Sequence, residues 1–257
     1  MYPMRRLRVL PLILALGLSV SACSSDSTGP TPIVVEQLIE IYSGPLDPGG
    51  TNTYLFSLSQ PATVQVMLGG VIGGDPLQSL SPVLHLTLAR WSGSGCEPVS
   101  QLDLAPRLTA ALQAYVEVGT YCAIVSDPNA ALTGTVAATL RVVSPALVRL
   151  SGSAGTATFA NTLTPAGRSS RTFVASAQGT VSLTLESFSD PDVELGLGLG
   201  LLASDGSGCR LAQIVHARPG SSPQLTARVD AGDYCAMVFD LGTLARTGSF
   251  TMRIAYP

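Results

Sequence analysis

The chain has no lysine: all 14 basic residues are arginines, and only two histidines, His85 and His216, stand among 257 residues. Schiff-base chemistry therefore has no amine to use. A Ser-His-Asp arrangement needs a serine held against an oriented imidazole, and no nucleophile-elbow motif accompanies either histidine. Charge is scarce, at 12 % of residues, and so are aromatics, at 5 % with Trp91 the single tryptophan. A formal charge of −3 without a basic cluster offers little for the phosphate contacts that dominate nucleic-acid affinity, so nucleic acid is set aside as a partner. Past the first two dozen residues no stretch has a helical period. The abundance of Gly, Ser and Thr beside 46 % apolar residues suits short strands and turns instead.

What the chain does have, it has twice. GSGC at Gly93 to Cys96 returns at Gly206 to Cys209, and GTYCAIVSD at Gly119 to Asp127 returns as GDYCAMVFD at Gly232 to Asp240, each at an offset of 113. The cysteines are 26 apart in both copies, and Leu112, Ala114 and Val116 map onto Leu225, Ala227 and Val229. A self-match at fixed offset that carries a cysteine pair marks two copies of one domain. Their size, about 110 residues each, is ordinary for a single core.

The N-terminus has the charge, apolar run and small-residue site of an export signal. Arg5, Arg6 and Arg8 precede the apolar run Val9 to Val20, and Val20-Ser21-Ala22-Cys23 closes it. The apolar run is shorter than the ~20 residues a membrane span needs. This end resembles the lipobox of bacterial lipoproteins. The resemblance implies a signal peptide over 1–22, a lipid (diacylglycerol and palmitate) on Cys23, and, from Ser24 in place of aspartate, sorting to the outer membrane. Removal of 1–22 takes three arginines and no acid, moving the formal charge from −3 to −6. Ser24 to Thr31 is small and polar, so 23–35 is expected to be a flexible tether.

Period-two alternation over Thr53 to Leu58 and Ala62 to Leu68 predicts half-buried strands. Gly69 to Pro82 has the composition of a loop. Leu84, Leu86 and Leu88 then share one face, and Leu108 to Val118, Gly119 to Val125 and Thr135 to Val143 follow as strand candidates. At the common offset the leucine face becomes Leu197, Leu199 and Leu201, with glycines 196, 198 and 200 opposite, and Trp91 aligns with Ser204. The join is expected around Ser144 to Gly155. The resulting fold class is all-β: two tandem jelly-roll-like β-sandwich domains, 36–147 and 148–257, behind the signal and tether.

The order of signals in each copy resembles the bacterial pre-peptidase C-terminal domain, a jelly-roll-like sandwich. A Gly turn precedes an aromatic strand (Gly49-Gly50 before Tyr54-Leu55-Phe56; Gly167 before Phe173). An acidic loop leads into alternating leucines (Asp190-Pro191-Asp192-Val193-Glu194-Leu195), and Gly-x-Tyr opens a later strand (Gly119-Thr120-Tyr121; Gly232-Asp233-Tyr234). The first copy lacks the second acid at Asp75-Pro76, and the cysteine pairs are additions to the family pattern. The resemblance implies an accessory or binding module, and calcium in some relatives.

Candidate sites follow. Four cysteines remain after Cys23, and an exported chain meets an oxidising compartment. Of three pairings, only Cys96–Cys122 with Cys209–Cys235 respects the repeat. Asp190, Asp192 and Glu194 alternate along an extended loop and are the candidate calcium ligands, with Asp205 a further acid within reach; calcium wants six or more oxygens. Trp91 is a candidate stacking surface for a sugar or an edge-of-core residue, while Tyr121 and Tyr234 are expected in the core. The function expected is that of a non-catalytic lipoprotein of the cell envelope, anchored to the membrane by its lipid and binding an envelope protein or glycan, or serving structurally. A carbohydrate-binding or adhesion protein is the alternative, and a hydrolase accessory subunit stands third.

Overall fold

The computed structural model describes residues 33–107, 109, 112–150, 154–203 and 208–257, with 33–36 and 146–150 described by backbone alone. The signal segment, Cys23, Ser204 and Asp205 lie outside the described residues. Among the described residues the chain forms strands and no helix. The first copy contributes β1 (Ile33–Leu46), β2 (Thr51–Leu58), β3 (Ala62–Gly73), β4 (Gln78–Ser79), β5 (Leu84–Trp91), β6 (Cys96–Leu104), β7 (Leu112–Val116), β8 (Gly119–Ser126) and β9 (Val136–Leu150). The second contributes β10 (Gly155–Leu163), β11 (Arg168–Ala175), β12 (Gly179–Phe188), β13 (Leu195–Leu202), β14 (Cys209–Ala217), β15 (Leu225–Val229), β16 (Gly232–Asp240) and β17 (Gly248–Tyr256).

Each copy stacks two antiparallel sheets. In the first, the path β1-β9-β3-β7 faces β2-β8-β5-β6; in the second, β10-β17-β12-β15 faces β11-β16-β13-β14. Setting aside the two-residue β4, both copies therefore order their strands first–eighth–third–sixth and second–seventh–fourth–fifth. That double Greek key is the jelly roll. Alternating residues of the facing sheets fill the interior: Tyr42 stacks on Tyr54 at 5.0 Å in the first copy, and Phe173 packs on Tyr256 at 5.0 Å in the second.

The copies are joined edge to edge. β1, the first strand of one jelly roll, pairs antiparallel with β11, the second strand of the other, so Glu40 to Ser43 lie opposite Arg171 to Arg168. One sheet thus runs through both copies in the order β14-β13-β16-β11-β1-β9-β3-β4, and most of the buried apolar residues, from both copies, form one cluster within a single compact unit.

Several expectations are corrected in detail. Of the tether expected over 23–35, residues 23–32 lie outside the described residues, and 33–35 belong to β1, which begins at Ile33. Gly69 to Pro82 is not one loop: β3 continues to Gly73, because the register shift between Leu68 and Gly70 absorbs the glycines as a bulge. The join at Ser144 to Gly155 is largely strand, since β9 runs on to Leu150 and pairs with the start of β1. β6 and β14 had no strand signal because they are edge strands with little buried surface, and alternation needs one buried face.

The leucine faces also align differently. Ala89 lies opposite Cys122, and Gly200 opposite Cys235; Trp91 lies opposite Cys96, and Leu202 opposite Cys209. The counterparts of Leu84, Leu86 and Leu88 are therefore Leu195, Leu197 and Leu199, all buried, while Leu201 is 53 % exposed. Trp91 answers to Leu202, and the turn before Cys209 is two residues longer than the turn before Cys96. A slip of two residues keeps every side chain on its face, so the sequence pattern does not reveal it.

Candidate functional site

The cystine bridges form as the repeat requires. Cys96–Cys122 has Cα atoms 6.2 Å apart and Cys209–Cys235 6.0 Å, each tying the edge strand of a sheet to the strand two places in. Each contributes about 3–4 kcal/mol by the loop-entropy estimate. The Gly-x-Tyr signature also has a physical role. The Tyr121 hydroxyl donates to the Glu117 carbonyl at 2.8 Å, and Tyr234 to Asp230 at 3.2 Å, so each ring closes the corner by which its strand enters the sheet. Tyr121 is in the core, and Tyr234 packs against it from a half-buried position.

The final aspartate of each repeated motif carries a role the sequence did not announce. Asp127 accepts backbone N–H bonds from Gly49, Ala131 and Leu132; Asp240 accepts from Ala166, Gly242, Thr243 and Leu244. Gly49 and Ala166 are equivalent positions in the Asp47–Gly50 and Thr164–Gly167 turns, each with proline second and a positive φ third, the type II pattern. Burial pushes both carboxyls up, but the backbone donors outweigh it and hold them below the ordinary aspartate value. A spacing search would have found this pairing only by treating Asp as an acceptor for a distant turn.

The other candidates are dispersed. Asp190, Asp192 and Glu194 are all exposed, and the Asp190 carboxylate accepts the Asp192 N–H at 3.2 Å, closing the loop on itself. Among the described residues no group of three or more His, Cys, Asp or Glu side chains is placed to hold a metal. His85 sits on the outer face of β5, its Nδ1 2.6 Å from Asp103 Oδ1 on β6, with that carboxylate largely in water. His216 is exposed near the end of β14, opposite Gly196. Trp91 is half-buried at the end of β5 beside the first bridge.

Buried polar chemistry gathers at the join. Glu40, 5 % exposed, accepts the Tyr42 hydroxyl and lies with Oε1 3.6 Å from Arg171 Nη1, which donates to the Thr158 carbonyl at 2.7 Å. The pair follows from register: Glu40 and Arg171 are direct cross-strand partners. Burial lifts the Glu40 carboxyl above the usual glutamate range, partly offset by Arg171 and by the Tyr42 hydroxyl; burial and the neighbouring Glu40 charge push Tyr42 well up. The pair is not repeated in the other copy: Tyr42 matches Phe159, Glu40 matches Ala157, and Arg171 matches Tyr54.

On this side of the join the remaining free edges, β2 and β10, approach each other without forming a ladder. They touch where Thr162 Oγ1 lies 3.4 Å from the Thr53 carbonyl, and further along a cleft of about 410 Å³ opens. Hydroxyl and amide side chains from both copies line it, among them Ser57, Ser59, Gln60, Ser144 and Thr156, with Glu40 and Arg171 at its wall. The chain matches no protein-family model and no curated protein.

Proposed function

We propose that this is a non-catalytic lipoprotein of the cell envelope, lipid-anchored through Cys23 and held, in a Gram-negative cell, at the outer membrane. Its two jelly rolls act together as one binding or structural module. The observation that carries the reading is the β1–β11 pairing, which fuses two stapled sandwiches into one sheet and forms clefts whose walls come from both copies. Two cystine bridges agree with life in an oxidising compartment. The resemblance to pre-peptidase C-terminal domains points the same way, towards an accessory module. Metabolic labelling with an alkyne fatty acid, followed by membrane fractionation, tests the anchor: wild type takes the label and sediments with membranes, and Cys23→Ser does neither. A Cys23→Ser chain that still matures and stays on membranes overturns it.

A glycan ligand is the second reading, favoured by the hydroxyl-rich cleft between β2 and β10. Ser57 is exposed on its rim. Binding to an envelope-glycan array that Ser57→Trp abolishes supports it; binding that Ser57→Trp leaves intact places the ligand elsewhere.

A further inference from the structure

The opposite face of the join carries a second feature. Residues of β1 that turn away from the jelly-roll interior, Ile39 and Ile41, form a separate apolar cluster with Met67 and Val143, against which Leu202 packs. Register sets a row across five strands here: Met67 opposite Arg141, Arg141 opposite Ile41, Ile41 opposite Ser170, Ser170 opposite Met237. Beside that row a groove of about 580 Å³ is floored by small residues such as Gly70, Ala137 and Ser170, with Ile72, Leu77 and Met237 standing along it. Its volume lies within the roughly 300–1,000 Å³ of small-molecule sites. Strands lie about 4.8 Å apart, so the four steps from β3 to β16 extend it about 19 Å, room for an aliphatic chain of about a dozen carbons.

Two cations belong to this face. Arg168 lines the groove, and Arg141 stands between the apolar Met67 and Ile41 with Nε sealed from solvent and without a hydrogen-bond partner. Neither arginine makes an ion pair or side-chain hydrogen bond among the described residues, in a chain with 17 acids. A guanidinium stays charged at any physiological pH; Arg168 is exposed, and the partial burial of Arg141 without a counter-charge is costly. The missing complement is an anion attached to an apolar body.

We propose that this groove binds the carboxylate of a medium-to-long aliphatic chain, with Arg168 on its wall and Arg141 in the adjoining row at the anionic head, and with Ile72, Leu77 and Met237 along the tail. The site is separate from the β2–β10 cleft and from the anchor at Cys23, so its failure leaves the preceding reading intact.

Calorimetry on the unit Pro32–Pro257, which holds both bridges and the whole of the described core, tests it with three probes of one chain length: dodecanoate, dodecanol and dodecyltrimethylammonium. Dodecanoate binds one to one, and the alcohol and the cation bind at least tenfold more weakly. Arg141→Gln and Arg168→Gln each weaken dodecanoate at least fivefold and leave dodecanol unchanged. A Cβ on Gly70 meets no atom within 4 Å, so Gly70→Leu fills the groove without a backbone clash. It abolishes binding of dodecanoate and dodecanol alike at unchanged melting temperature. Equal binding of all three probes, or dodecanoate binding that survives Gly70→Leu, overturns the proposal. So does a dimer in sedimentation that Gly70→Leu dissolves, which gives the groove to a second copy of the chain.

Discussion

Glu40 and Arg171 face each other across the hydrogen-bonded join of the two repeats, a buried carboxylate 3.6 Å from a guanidinium that reaches on to the Thr158 carbonyl. Removing one member of a buried pair leaves the other uncompensated. Arg171→Met is expected to destabilise the fold by about 3 kcal/mol near neutral pH. The loss shrinks as pH falls through the raised folded value of Glu40, since a protonated carboxyl needs no counter-charge and the unfolded chain titrates alike in both proteins. The double variant Arg171→Met/Glu40→Gln regains most of the stability. Urea unfolding at pH 4 and pH 7 measures both; a loss independent of pH and not rescued by Glu40→Gln shows that Arg171 acts through packing alone.

Glu40 by itself gives the join a pH slope. Burial raises its folded value, so between about pH 4.5 and that value the folded state keeps a proton the unfolded chain has released. Its contribution to stability is therefore fully present below pH 4.5 and lost as pH rises through the folded value. Glu40→Gln keeps an acceptor for Tyr42 and removes the titration, and the stability difference between pH 4 and pH 7 narrows. A difference of the wild-type size in Glu40→Gln assigns the slope to other groups.

Asp127 and Asp240 act in the opposite sense. Their folded values are lowered, so the stability they give is present above about pH 3.8 and lost as pH falls through the folded value. Asp127→Ala leaves the N–H groups of Gly49, Ala131 and Leu132 without their acceptor, at a cost of about 1–3 kcal/mol. Asp127→Asn, which keeps one carbonyl oxygen, loses less. Thermal melts of the two variants rank them, and an equal loss shows that charge rather than acceptor geometry matters.

The equivalent turns test backbone strain directly. Ala166 has φ of 54°, where its counterpart Gly49 has 71°. An L-residue pays roughly 1–2 kcal/mol for this region, while glycine returns part of that as unfolded-state entropy. Ala166→Gly is expected to stabilise by up to about 1 kcal/mol, and Gly49→Ala to destabilise by a similar amount. A Cβ at Gly49 meets nothing within 4 Å, so the effect there is conformational. Shifts of the same sign in both variants would refute it.

Much of the architecture was legible because it rests on local periods and on a repeat. Alternating Leu84, Leu86 and Leu88 required a half-buried strand, and the 26-residue cysteine spacing, seen twice, left one pairing consistent with the repeat. The two-residue shift that matches Leu88 to Leu199 was hidden, since an even slip leaves the inward face unchanged. β6 and β14 were hidden for a different reason: most of their residues stay in water, and an edge strand carries no pattern that burial would impose.

The candidate site was less legible still. Glu40 and Arg171 are 131 positions apart and unmatched by the repeat, so nothing in their surroundings marks them as partners. By itself the sequence determined the fold class, the two copies and the pairing of the cysteines, because turn chemistry, period-two burial and repetition act within a few residues or recur at a fixed interval. Tertiary structure alone decided that the first strand of one copy pairs with the second strand of the other. Any exposed strand edge offers the same row of N–H and C=O groups, so backbone chemistry does not choose between edges. Side chains brought together only after both sandwiches have formed make that choice, and here they are Glu40 against Arg171 on one face and Ile41 against Ser170 on the other.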